Sequence, residues 1–107
     1  MDKEQLFKPR IPEEEVELPG VGTIRVRGLN RFEAMIVAPL SGAEMERKAI
    51  AFGMVDPAMT ESEVGQWQKS ATAGELQEVA AVIQRLSGLN EGADKSGLPA
   101  VRGKRRS

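Results

Sequence analysis

The two side chains that most often carry enzyme chemistry near neutral pH are missing from this chain. It contains no His and no Cys. That removes the commonest general base and transition-metal ligand, and it excludes thiolate nucleophiles, thiolate metal sites and disulfides. Carboxylates remain. Glu13, Glu14, Glu15 and Glu17 crowd one short stretch, and Asp56 precedes a proline. None has a Gly-rich partner at a motif spacing, and Gly22 is not followed by the Gly-Lys-Ser of a phosphate loop. Glu33, Glu44, Glu63 and Glu75 each stand three residues after Asn30, Ser41, Thr60 or Thr72. That is the spacing of a helix capping box, which gives those glutamates a structural task. The expectation is a protein without catalytic, metal or cofactor residues.

The remaining candidates bind rather than react. Trp67 is the single Trp, and it reads first as core and second as an anchor for a partner helix. Met35, Met45, Met54 and Met59 fall in or beside expected helices, where thioethers fill gaps or line an adaptable groove. The basic end, with Arg102, Lys104, Arg105 and Arg106, can grip phosphate or an acidic partner, but it also reads as a solvated tail. It carries no interleaved aromatic for base stacking, so nucleic acid is not the expected partner. The residues assigned to partner binding are Trp67, Met35, Met54, Arg102, Lys104, Arg105 and Arg106.

The elements that must position these residues are marked by periodicity and punctuation. Val16 and Leu18 alternate with Glu15 and Glu17; Ile24 and Val26 alternate with Arg25 and Arg27; Pro19-Gly20-Val21-Gly22 lies between. This predicts a β-hairpin whose acidic and basic outer faces pair across strands. Asn30 opens a helix with Phe32, Met35 and Ile36 on one face, limited by Pro39. Ser41 opens a second, carrying Met45, Ala49, Ile50 and Phe52 and stopped by Gly53. Met54 to Pro57 reads as a turn. Thr60 opens a third with Val64, Trp67 and Ala71; Gly65 weakens it unless a neighbour approaches closely there. Thr72 opens the clearest one, with Leu76, Val79, Ala80, Ile83 and Leu86 on one stripe and Gly88 as its stop.

The predicted fold is therefore α+β and mainly α: an N-terminal hairpin followed by four short helices. Residues 1–12 read as an extended arm whose Leu6 and Phe7 are available for docking. Residues 13–89 form one domain, and residues 90–107, rich in Gly and polar residues, read as a disordered basic tail or linker. At 107 residues and a net charge of −1 the chain supports one modest core and no strong general pull toward nucleic acid. No apolar run approaches the ~20 residues of a membrane span, and the opening MDKEQLFKPR is polar, unlike a secretory signal. The lack of Cys fits a cytoplasmic location.

The order of these elements resembles the tail assembly chaperones of long-tailed bacteriophages (siphoviruses) and prophages. The similar stretches are Val16 to Arg31 with PGVGTIRVRGLNR, the turn from Gly53 to Pro57, Thr60 to Trp67, and Leu76 to Leu89. The resemblance implies a noncatalytic protein of the host bacterial cytoplasm, absent from the mature virion. It implies binding to the tape-measure protein, a long helical chain, until tail-tube subunits replace the chaperone; homo-oligomerisation stays open. It also implies a longer form made by programmed −1 frameshifting, for which Gly103-Lys104 permits a slippery codon pair. The alternatives are a small virion component of the neck or tail-completion type, and a nucleic-acid-binding regulator using the basic tail.

Overall fold

A computed structural model of the chain describes residues 1–89. The hairpin forms as its alternation requires. Strand β1 (Glu13–Leu18) pairs antiparallel with β2 (Gly22–Arg27), with Val16 opposite Ile24 and Glu15 opposite Arg25. The reversal runs through Pro19 and Gly20, and the Val21 N–H donates to the Leu18 carbonyl at 3.0 Å. Gly20 sits at φ +79°, the left-handed value that the third position of a type II turn demands. On the outer face Arg25 bonds Glu15 at 2.9 Å and lies 3.6 Å from Glu13. On the inner face Val16, Leu18, Ile24 and Val26 are buried.

Four helices follow: α1 (Arg31–Val37), α2 (Gly42–Gly53), α3 (Glu61–Ser70) and α4 (Ala73–Leu86). Their buried residues, Val37, Ile50, Val64, Leu76, Val79 and Ile83, close one core against the inner face of the sheet. Helix α4 lies across β1 and β2, and the Arg85 guanidinium ties it to the β1 edge by two bonds to Glu14, at 2.9 and 3.0 Å. Gly53 gives Ile83 a place to sit: a Cβ there would come within 2.5 Å of Ile83 Cδ1. Gly65 has the same relation, more loosely, to the Arg47 stem. Arg47 and Lys48 of α2 reach across to Glu61 of α3. Lys48 first and Arg47 second hold that carboxyl below its ordinary pKa.

Three local expectations differ from what is found. The stretch read as a turn is a third strand, β3 (Met54–Asp56), which pairs antiparallel with β2 to give the order β1-β2-β3. Met54 has to be buried beside Val26, and Asp56 is held extended by the following proline, so the chain leaving α2 is already in strand geometry. The N-terminal arm is not uniformly extended. Lys3–Phe7 makes a short 3-10 helix capped by the Asp2 carboxylate. The Ser41 hydroxyl makes no cap bond, because the chain enters α2 through Gly42 at φ +62°.

Candidate functional site

The chain between β2 and α1 is fixed by a small set of polar contacts. The Asn30 side chain accepts from the Glu33 N–H at 2.8 Å, and the Glu33 carboxylate accepts from the Asn30 N–H at 3.1 Å, a complete capping box. The same carboxylate takes a two-pronged ion pair from Arg27 at 2.8 and 2.9 Å. The Arg27 bond, with the cap bond added, holds the Glu33 carboxyl below its ordinary pKa against the opposing effect of burial. Arg27 is raised by the same bond.

This clamp sets the rotation of α1. Successive helical residues are ~100° apart, so Glu33, Ala34 and Val37 lie on one side and Phe32, Met35 and Ile36 on the other. With Glu33 held by β2 and Val37 in the core, the second set faces outward. Phe32 is 73% exposed, Met35 58% and Ile36 37%. The apolar face expected for this helix exists as a stripe, but it is presented to solvent rather than packed.

The C-terminus of α4 meets the same junction. Gly28 lies against the Leu86 carbonyl so closely that any Cβ would overlap it. The Leu29 N–H donates to the Ser87 hydroxyl at 2.7 Å, and that hydroxyl donates to the Ile83 carbonyl at 2.6 Å. Gly88 at φ +76° then ends α4 in a Schellman turn, with Gly88 N–H bonded to Arg85 and Leu89 N–H to Gln84. The turn leaves Leu89 half-exposed beside Leu29.

Two clefts flank this junction. One, about 690 Å³, runs between the N-terminal arm, the start of α1 and the end of α4; its apolar walls are Leu6, Phe7, Ile11, Leu29, Ala34, Leu86 and Leu89. The other, about 250 Å³, lies between Val37, Met45, Ala49, Ala80 and Ile83, and shares Leu29 and Leu89 with the first. With the exceptions of Met1 and of Val21 in the hairpin turn, the exposed large apolar residues of the described chain belong to α1 or to these clefts. They lie on both sides of α1, the stripe on its outer face and the clefts along Ala34 and Val37 on its inner face, and together make up the apolar pole around α1.

The residues singled out from sequence are dispersed. Met35 is on the exposed α1 stripe. Met54, 6% exposed, belongs to the core beneath β3 and offers a partner no surface. Trp67 is half-buried against the core, and its indole N–H donates to Glu75 Oε2 at 2.8 Å. That bond draws the Glu75 side chain away from the Thr72 cap, which keeps only the hydroxyl-to-backbone half of its box. Arg102, Lys104, Arg105 and Arg106 lie outside the described residues. Phe32 and Ile36, named from sequence only as a helix face, and Leu89, not singled out, are the surface that spacing missed. The signal for α1 was present: a basic residue closing a strand six positions before a cap glutamate.

Among the described residues, no group of three or more acidic side chains is gathered as a metal would need. No described helix is long and apolar enough to cross a membrane. Comparisons with protein-family models, curated proteins and solved structures give no match.

Proposed function

We propose that this protein is a noncatalytic tail assembly chaperone, which holds the tape-measure protein in solution and releases it to tail-tube subunits. The observation that carries this reading is the outward α1 stripe of Phe32, Met35 and Ile36, together with the two clefts lined from the other side of α1 by Ala34 and Val37. A domain whose core is closed by its other helices has no folding need for that stripe. Apolar surface gathered at one pole is the usual mark of a protein contact. A long helical client presents its own stripes at i, i+3 and i+4, which such a pole can cover. Each contact is small, well under the ~1,600 Å² of a stable pairwise interface. Many copies along one client therefore hold it collectively while each can be displaced singly.

The test is co-expression with the tape-measure protein of the same genome. The client is expected in the soluble fraction only when this chain is present, and purified particles are expected to lack this chain. Equal precipitation with and without it, or stoichiometric retention in particles, contradicts the proposal.

A further inference from the structure

Residues 1–89 are net acidic. The whole chain carries −1, and residues 90–107 carry five basic and two acidic side chains, which leaves −4 on the rest. The larger cleft runs against this balance. Its charged wall residues are Lys8, Arg10 and Arg31, and none of the described residues lining it is acidic. Of the cations outside the cleft, Arg25, Arg27, Arg47, Lys48 and Arg85 sit in ion pairs, while Lys3 and Lys69 are in none among the described residues. Lys8, Arg10 and Arg31 are in none among the described residues, and Arg10 bonds only the Gln5 carbonyl, at 2.8 Å. An apolar floor with a one-signed rim is a pattern that selects a partner by charge as well as by grease.

We infer that the cleft between the N-terminal arm, α1 and α4 docks an acidic amphipathic helix, with the apolar stripe on the floor and flanking Asp or Glu side chains against Lys8, Arg10 and Arg31. This rests on the chaperone reading and names the chemistry of the client segment. The cleft's volume suits between one and two turns of a helix ~10 Å wide. The floor of Leu29, Ala34, Leu86 and Leu89 is aliphatic and Phe7 is the cleft's one aromatic wall, too few stacking faces for a run of bases, which favours a protein helix over nucleic acid.

The probes are two synthetic 18-residue helices of one Leu/Ala stripe, one flanked by Glu and the other by Lys, and a single-stranded oligonucleotide. Binding to the full chain is read by fluorescence anisotropy. The acidic peptide is expected to bind at least about tenfold tighter than the basic one, with the difference shrinking as salt rises. The variant carrying Lys8→Glu, Arg10→Glu and Arg31→Glu is expected to reverse the order. It should keep the wild-type melting temperature, since all three side chains are exposed and Glu suits the first turn of α1. Equal binding of the two peptides overturns the inference. So does an unchanged order in a folded variant, no binding of the acidic peptide up to about 1 mM, or tighter binding of the oligonucleotide. A client held soluble without any acidic preference would sink this inference alone; an acidic preference without client solubilisation would sink the chaperone reading alone.

Discussion

Glu33 does three things with one carboxylate: it caps α1, it pairs with Arg27, and it fixes which side of α1 meets solvent. Its folded-state pKa is lowered, so the stability it supplies is present above the ordinary carboxylate value of 4.5 and is lost as pH falls through its folded value. Urea midpoints should therefore drop on acidification below about pH 4.5, and Glu33→Gln should flatten that part of the profile. Arg27→Ala should cost about 1–3 kcal/mol, because it strands a carboxylate whose side chain is only 13% exposed. Trp67→Phe tests a second residue-scale assignment. It removes the donor to Glu75 and should cost about 1 kcal/mol, softened if Glu75 swings back to complete the Thr72 cap. This competition shows why cap spacing is only partly legible. Of four matching phrases, those at Asn30 and Thr60 form complete boxes, the one at Thr72 forms half a box and the one at Ser41 forms none. Spacing makes a bond available; neighbours distant in sequence decide whether it forms.

At the scale of elements, two glycines carry the packing of α4. Gly53→Ala places a methyl against Ile83, and should cost about 1–3 kcal/mol in urea denaturation, partly recovered by Ile83→Val in the same chain. Gly28→Ala should cost more and should not be rescued that way, because its Cβ meets the Leu86 carbonyl and the Ser87 amide rather than a side chain that can turn. The hairpin and all four helices were readable because each has a period of its own. β3 was not. It has three residues and too little length for alternation, and it exists because β2 offers a free edge where Met54 can be buried. Periodicity likewise told which residues of α1 share a stripe but not where the stripe points; the Arg27 contact decides that.

At the scale of the whole molecule, the surface divides into parts that are finished and a part that is not. The outer sheet face and the α2–α3 seam are knitted by their own ion pairs, while the pole around α1 is left apolar. The resemblance supplied the expectation of a client-binding module, but not the location of its surface, since the seven residues assigned to partner contacts include one core residue, Met54, and four beyond the described chain. The central claim is that the α1 pole holds a client and is dispensable for folding. The direct measurement is the soluble fraction of the tape-measure protein co-expressed with the variant carrying Phe32→Gln, Met35→Gln and Ile36→Gln. The variant is expected to fold, losing less than about 1.5 kcal/mol because exposed positions contribute little, while the client precipitates as if no chaperone were present. A client kept soluble by that folded variant as well as by the wild type would contradict the account.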